Sequence, residues 1–374
     1  MKVLMITPSY FPIKGGAETV IHDIATKLNK NAVSVDILTF NMDRKWKTYW
    51  HGKIEEDDGV RVYKIPALNW FPFTHSDRIT MGINLVPGRF RFLLKGYDLL
   101  HFHGGDLTFP VFSLDVKKPK ILHFHGLSSA FYKRYFLSRL FLKNVAHIYI
   151  CLTSTMKKEI VSLGIREEKV RILPNGVDTN LFCPLGEKNE NLILFVGRLC
   201  PEKGINTLIR ALTYLENPTQ LVIIGPPDWN KKHFHNILDL IKKENERGKH
   251  KVVYLGAKKR EEILEWYQKA SLLVLPSQKE GFPVVIIEAL ACETPVVATN
   301  VGGIPEILAN TECGVLVPPN SPAKLAEAIQ FLMENKDIRI KFGRQGRMLV
   351  RKCFSMDTMI ARLCGIYKET LEIW

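Results

Sequence analysis

The sequence lacks the features that mark membrane-spanning, disulfide-stabilised and zinc-binding proteins. No run among its 374 residues approaches the roughly 18 consecutive apolar residues of a spanning helix. Its seven cysteines are odd in number and widely scattered, with no C-x-x-C pair and no histidine spacing typical of zinc. We therefore expect reduced, mostly buried cysteines and no metal.

The N-terminus also lacks the pattern of a signal peptide, because MKVLMITPSYFP changes from a short apolar strand to proline-containing turns. We therefore expect the mature chain to begin at Met1 and to remain in the cytoplasm. The chain is also longer than one hydrophobic core usually supports, so two domains are predicted.

Basic residues outnumber acidic ones, mainly in the first half of the chain. The net charge of the chain is +14. Residues 1–178 contain 26 Lys and Arg residues and 16 Asp and Glu residues, whereas the remainder contains 26 basic and 22 acidic residues. Within 78–143 the counts are 11 and 3. This excess of positive charge would attract an anionic partner such as a phosphorylated substrate, a membrane surface or a nucleic acid. A basic face that is only exposed to solvent would have the same composition.

Short apolar runs alternate with amphipathic segments along the chain, as in the predicted helix 17–28 and the predicted strands 99–103 and 192–196. Runs such as LVIIG and SLLVLP contain no alternating polar residues, which is typical of parallel strands covered by helices on both faces. The turn-forming stretch at 174–184 separates two such series. The pattern predicts an α/β protein with two doubly wound, mostly parallel sheets, whose ligands bind beyond the carboxyl ends of the strands.

Two loops after predicted strands carry residues suited to phosphate. Gly15 and Gly16 precede a helix and would let an anion approach free backbone N–H groups, although a tight turn needs the same glycines. Arg198 and Lys203 flank the loop in FVGRLCPEKGINTLI and can hold a diphosphate, or can be exposed loop charges. Neither loop matches G-x-G-x-x-G or the P-loop.

The stretch EGFPVVIIE at 280–288 places a glutamate at each end of an apolar run. It follows a predicted strand, so Glu280 is expected in a loop and Glu288 inside the next helix, with Pro283 in the first turn. Eight residues cover a little over two helical turns. Both carboxylates can therefore face one elongated ligand that presents hydroxyl groups at each end.

Several further motifs occur in order over nearly the whole chain: GGAE (15–18), HG (125–126), PNGVD (174–178), GRLCPEKG (197–204), PSQKEGFPVVIIEALA (276–291), TNVGGIPEI (299–307) and GVLVPP (314–319). In this order they closely resemble the retaining GT-B glycosyltransferases of family GT4, most strongly from about 172 to 330. The resemblance implies two Rossmann-like domains facing a central cleft. We place the acceptor-side domain at 1–178 and the donor-binding domain at 179–354, with a C-terminal helix at 355–374 returning to the first.

The resemblance also implies roles toward a nucleotide-sugar donor. The residue matching Glu280 contacts hydroxyls of the donor sugar, and the residue matching Glu288 binds the ribose. Arg198 and Lys203 match the pair that holds the leaving diphosphate, and Gly16 matches a glycine loop that closes over it. The backbone of four further residues completes the cradle for sugar and phosphate: Gly281, Phe282, Pro283 and Val284.

The histidines need separate treatment because HFHG occurs twice, each time at the end of a predicted strand. The resemblance places His125 beside the donor sugar, and we expect His103 to be structural or to face the acceptor. His101 and His123 are predicted to point to the opposite face of the sheet. The catalytic candidates are Arg198, Lys203, Glu280 and His125.

The family's chemistry implies transfer of a hexosyl-type sugar through an oxocarbenium-like state, while negative charge builds on the leaving diphosphate. Fixed cations and helix N-termini can stabilise that charge without a divalent metal or another cofactor. No D-x-D motif precedes an apolar strand, and the adjacent Asp57 and Asp58 have the wrong spacing for shared coordination. UDP-linked and GDP-linked donors are not distinguished.

The acceptor side is marked by the basic, aromatic stretch FYKRYFLSRLFLK at 131–143. As an amphipathic helix it can lie in the interface of an anionic membrane, which would attach the protein peripherally to the inner membrane face and favour a lipid or lipid-linked acceptor over a free glycan. Packing against the sheet, with Lys and Arg side chains extended to solvent, is the alternative.

Two other functional classes fit parts of the pattern. A GT-B epimerase would use a nucleotide sugar without an external acceptor. A non-catalytic basic protein would bind nucleic acid, but the basic and aromatic residues form no recognisable RNA-binding module and each half has a loop suited to phosphate. We therefore favour the glycosyltransferase and expect no nucleic-acid partner.

Overall fold

The computed structural model describes residues 1–13, 15–31, 33–43, 49, 51–66, 93–104, 116–127 and 136–374. Packing divides the chain into two compact units. The first comprises Met1–Pro174 and Met359–Trp374, and the second comprises Asn175–Thr358. The first junction therefore falls at the start of the turn-rich stretch 174–184.

The described residues of the first unit include eight strands: β1 (Lys2–Ile6), β2 (Ser34–Phe40), β3 (Lys53–Asp57), β4 (Val60–Ile65), β5 (Leu99–His103), β6 (Lys120–His123), β7 (Ile148–Cys151) and β8 (Val170–Ile172). They form one sheet in the order β3-β4-β2-β1-β5-β6-β7-β8, with parallel neighbours except at β3. β3 runs antiparallel to β4 after a turn at Asp58 and Gly59, both with positive φ.

The second unit is built on six strands: β9 (Asn189–Val196), β10 (Gln220–Ile224), β11 (Lys251–Tyr254), β12 (Ala270–Leu275), β13 (Val296–Thr299) and β14 (Gly314–Val317). They form one sheet in the order β11-β10-β9-β12-β13-β14, and every neighbouring pair is parallel. All six residues of β12 are buried, as its continuous apolar run predicts. The prediction of two doubly wound parallel sheets is confirmed, with β3 as an antiparallel addition.

The described residues include eleven helices: α1 (Gly16–Asn29), α2 (Phe136–Leu142), α3 (Ser154–Ser162), α4 (Ile205–Leu212), α5 (Lys231–Glu246), α6 (Arg260–Lys269), α7 (Val284–Ala291), α8 (Ile304–Leu308), α9 (Pro322–Glu334), α10 (Lys336–Leu349) and α11 (Met356–Glu372). In α1, Val20, Ile21, Ile24 and Leu28 are buried on one stripe, as their helical spacing predicts. In the part of the chain described here, no helix has the length and apolar character needed to cross a membrane.

The last helix, α11, packs within the first unit from Met359 onward. The buried Tyr367 contacts His101 of β5 through a hydrogen bond of 2.8 Å. Arg171 of β8 forms an ion pair with Glu369 one half-turn further along the helix. The C-terminal segment therefore contributes side chains to the first sheet, although it follows the second unit in sequence.

Two glycines with positive φ give a test of backbone packing in the second unit. Gly225 follows β10 at φ 152°, and a Cβ there would lie 1.9 Å from the carbonyl oxygen of Gly197. Gly248 has φ 74°, but a Cβ there would meet nothing within 4 Å. We expect Gly248→Ala to cost about 1 kcal/mol of unfolding free energy from strain alone. Gly225→Ala should cost at least about 2 kcal/mol, because overpacking adds to strain.

Urea unfolding of both variants, followed by far-UV circular dichroism, measures the difference. If the two variants lost the same unfolding free energy, the close approach of Gly225 to Gly197 would be absent in solution.

Candidate functional site

The central strands of the second sheet bring two loops to one edge. β9 and β12 are parallel neighbours, with Leu194 opposite Leu273. The strand order reverses between them, because β10 follows β9 toward one side and β13 follows β12 toward the other. In open α/β sheets the crevice at such a reversal is the usual ligand site. The loop after β9 carries Arg198 and Lys203, and the loop after β12 carries Glu280.

Lys203 and Glu280 meet directly at this edge. The ammonium nitrogen of Lys203 lies 2.5 Å from Oε1 of Glu280, and the hydroxyl of Ser277 donates to the same oxygen at 2.8 Å. The Glu280 side chain is only 7% exposed, and that of Lys203 is 25% exposed. A nearly buried carboxylate requires such partners, so the pair fixes the position of both groups.

Glycines allow the surrounding loops to pack closely enough for this pairing. Gly204 has φ 67°, and a Cβ there would lie 2.0 Å from the carbonyl oxygen of Pro276. Gly302 has φ 55°, and a Cβ there would lie 1.9 Å from the carbonyl oxygen of Glu280. The sequence motifs contain both glycines, but only the structure reveals them as contact points between loops.

Two helices begin at the same edge, α4 at Ile205 and α7 at Val284, and neither has an acidic residue in its first turn. Their N-terminal partial positive charge is therefore not compensated locally by a carboxylate of the same turn. Pro283 is the N-cap of α7, with ψ 106°, and does not lie in the first turn as predicted. A proline is tolerated at the start of a helix because no preceding helical turn is present for its ring to clash with. Together with the exposed Arg198, the edge is suited to an anion.

Glu288 lies in the middle of α7 and is held by side chains of α6. The hydroxyl of Tyr267 donates to its Oε2 at 2.9 Å, and Nη2 of Arg260 lies 3.8 Å from its Oε1. The Glu288 side chain is 12% exposed. Burial and the charge of Glu288 raise the pKa of Tyr267 well above its usual range, so the phenol remains a proton donor.

Sequence reasoning found Glu288 but neither of its partners, because Tyr267 and Arg260 belong to no recognised motif. The guanidinium of Arg260 also lies over the ring of Phe182, 5.0 Å from its centroid. These contacts make Glu288 a positioned acid and not a solvated residue on the outer face of the helix. A ligand shared by Glu280 and Glu288 stays a prediction.

Gly16, predicted to accommodate a diphosphate, is the first residue of α1 in the first unit. A Cβ there would meet nothing within 4 Å, so packing of the described residues does not require glycine. Its neighbour Gly15 lies against the carboxylate of Glu18, which accepts a hydrogen bond of 2.5 Å from Ser9. This acid already interacts favourably with the start of α1, so the role of Gly16 toward a phosphate stays a prediction.

The prediction that His101 and His123 point away from His103 and His125 is wrong. Residues two apart in a strand share a face, so both histidines of each HFHG segment lie on the same side of the sheet. Nδ1 of His103 lies 2.9 Å from Nε2 of His125, and the rings of His101 and His103 are 4.0 Å apart. Burial lowers the pKa of His125 to about 4, so this imidazole is neutral at pH 7.

The basic stretch 131–143 is partly described. Residues 131–135 lie outside the described part of the chain, whereas 136–142 form α2. Nε of Arg139 donates to the carbonyl oxygen of Leu163 at 2.8 Å, and Leu140 is exposed. Attachment of this stretch to a membrane stays a prediction.

The hydrogen bond between Tyr267 and Glu288 can be tested by Tyr267→Phe. Removal of the hydroxyl takes a hydrogen-bond donor away from a nearly buried carboxylate, and we expect a loss of about 1–3 kcal/mol in unfolding free energy. The matched control is Tyr214→Phe, since Tyr214 is exposed, and its effect should stay within about 0.5 kcal/mol. Denaturant titration of both variants gives the two values. A Tyr267→Phe protein as stable as the control would mean that this hydrogen bond does not hold Glu288.

Comparisons with known proteins give matches to two family models. The family model described as "Glycosyl transferases group 1" matches residues 179–348, and that described as "Glycosyltransferase Family 4" matches residues 14–181. An uncharacterised glycosyltransferase of Methanocaldococcus jannaschii is 28% identical over 381 residues, covering 99% of this chain and 98% of that protein.

Two solved structures share the fold over the whole length. Sucrose-phosphate synthase from Thermosynechococcus elongatus is 22% identical with a TM-score of 0.80, and 100% of each chain is covered. HepE from Anabaena, solved with UDP and glucose, is 20% identical with a TM-score of 0.80, covering 99% of this chain and 100% of that chain.

Proposed function

This chain belongs to the GT4-type glycosyltransferases of GT-B fold, and on this basis we propose that it transfers a hexosyl group from a UDP-linked sugar to a glycan, lipid or lipid-linked acceptor, with retention of anomeric configuration. The observation that carries the proposal is the pairing of Lys203 with Glu280 where the order of the second sheet reverses. UDP is favoured over GDP because HepE, which shares the fold, was solved with UDP.

The leaving diphosphate sets the electrostatic requirement of this reaction. As the anomeric C–O bond breaks, negative charge grows on the diphosphate oxygens, and groups already aimed at that charge lower the barrier. Arg198, Lys203 and the N-termini of α4 and α7 supply positive charge from one edge of the sheet. We infer that they bind the diphosphate, so the proposed mechanism requires no divalent metal or other cofactor.

Glu280 suits the donor sugar as a hydrogen-bond acceptor better than as a covalent nucleophile. Its Oε1 already accepts from the ammonium of Lys203 and the hydroxyl of Ser277, which weakens its nucleophilicity. We propose that the acceptor hydroxyl attacks from the face that the diphosphate leaves, and that a departing phosphate oxygen takes the hydroxyl proton. The new glycosidic bond then has the configuration of the bond that was broken.

Glu288 is proposed to bind the ribose through its carboxylate, which Tyr267 and Arg260 hold in place. The backbone of Gly281, Phe282, Pro283 and Val284 would line the phosphate and sugar, because it connects the Glu280 loop to α7. The roles of Gly16 and His125 toward the donor stay predictions, since their observed contacts lie within the first unit.

Neutralising the loop cations should reduce transfer without unfolding the protein. We expect Arg198→Met and Lys203→Met each to lower kcat by roughly 10²–10³-fold, the effect of removing one preorganised donor to developing charge. Arg210→Met is the matched control, because Arg210 is also an exposed arginine of the second unit but lies in the last turn of α4. Initial rates with a UDP-sugar and circular dichroism spectra of all three variants provide the comparison. Unchanged kcat in both loop variants would contradict the assignment of the diphosphate site.

The overall reaction can be tested with UDP-, GDP- and ADP-linked hexoses offered with lipid, lipid-linked and free glycan acceptors. We expect nucleoside diphosphate release that depends on a UDP-sugar and on an acceptor, with the donor's anomeric configuration kept in the product by NMR. Release of an altered sugar without an acceptor would support the epimerase. An inverted product would reject the proposed same-face attack.

A further inference from the structure

The carboxyl ends of β5 and β6 carry four histidines whose rings contact one another. His103 and His123 are register partners on the two strands, and His101 and His125 lie two residues away from them in sequence. The side chains of His101, His103 and His123 are wholly or almost wholly buried. The glycosyl transfer proposed for the second unit uses none of these three residues.

The hydrogen bonds of this cluster leave several ring nitrogens without a partner. Nδ1 of His101 bonds to the hydroxyl of Tyr367 at 2.8 Å, and Nδ1 of His103 bonds to Nε2 of His125 at 2.9 Å. Nε2 of His101, Nε2 of His103 and both ring nitrogens of His123 are buried and form no hydrogen bond within the described residues. Buried imidazole nitrogens are normally satisfied, because desolvation without a partner is costly.

We propose that His101, His103 and His123 form a binding site for a zinc-type transition-metal ion. Nε2 of His101, Nε2 of His103 and one ring nitrogen of His123 are the coordinating atoms. One nitrogen from each of the three side chains lies within 4.8 Å of those of the other two, so a small inward rotation of the rings suffices to coordinate one ion. This assignment replaces the expectation from cysteine and histidine spacing that the chain has no metal site.

The hydrogen bonds at Nδ1 are an independent indication of this role. A metal-bound histidine almost always bonds through its other ring nitrogen to a second group, which fixes the tautomer and aims the lone pair. Tyr367 does this for His101, and His125 does it for His103. In both histidines Nδ1 is therefore engaged, and Nε2, which forms no hydrogen bond within the described residues, remains as the nitrogen that can coordinate an ion.

The donor set selects the class of ion. Three imidazoles suit zinc, copper, nickel or cobalt, whereas magnesium and calcium prefer oxygen ligands. Three protein ligands leave a fourth tetrahedral position for water or hydroxide.

The experiment uses the full-length chain, stripped of metal with a chelator and dialysed. We expect one Zn²⁺ per chain by elemental analysis after a second dialysis, and one Co²⁺ per chain with the visible absorption of a tetrahedral complex. His123→Gln should weaken Zn²⁺ affinity at least about 100-fold, because a ligand is lost. Tyr367→Phe should weaken it roughly 10-fold while keeping the tetrahedral Co²⁺ spectrum, as expected for a positioning residue.

The control is His235→Gln, since His235 is an exposed histidine of α5 outside the cluster, and its Zn²⁺ affinity should match the unaltered chain. Equal Zn²⁺ retention by His123→Gln and the unaltered chain would overturn the proposal, as would a chain that retains no Zn²⁺. If His123→Gln does not fold, X-ray absorption spectroscopy of the Zn²⁺-loaded unaltered chain can identify the zinc ligands instead. Three imidazole ligands would support the site, and any other ligand set would reject it.

Discussion

The parallel pairing of β9 with β12 is the constraint on which the candidate donor site depends. Because these strands are neighbours, the loops at their carboxyl ends share one edge, and the ammonium of Lys203 reaches the carboxylate of Glu280 at 2.5 Å. The two residues are 77 positions apart in sequence, so only the topology brings them together. Glycines at 204 and 302 then allow the backbone contacts that keep the pair in place.

Much of the fold could be predicted from the sequence because buried parallel strands have a simple pattern. The predicted strand 99–103 coincides with β5, and α1 begins one residue before the predicted helix 17–28. β3 escaped prediction because KIEED is charged and mostly exposed, as an edge strand can be. β14 escaped because only its last residue is buried, although GVLVPP is one of the family motifs.

The site was predictable where it rests on motifs and not where it rests on tertiary contacts. Glu280, Glu288 and Lys203 belong to recognisable segments, whereas Tyr267 acts on Glu288 from a different helix, with no local signal in its own sequence. The histidine error had another cause, since residues two apart in a strand were assigned to opposite faces although they share one. Applied correctly, the strand period puts both histidines of each HFHG segment on one face from the sequence alone.

The central claim is that Lys203 and Glu280 act as one unit during sugar transfer. A double-mutant cycle tests it most directly, with kcat/KM for a UDP-sugar measured for Lys203→Met, Glu280→Gln, the double variant and the unaltered chain. The account predicts a coupling free energy above about 1 kcal/mol, because residues in direct contact do not contribute independently. If the free-energy effects of the two single substitutions add up to that of the double variant within about 0.5 kcal/mol, as they do for distant sites, the claim would be contradicted.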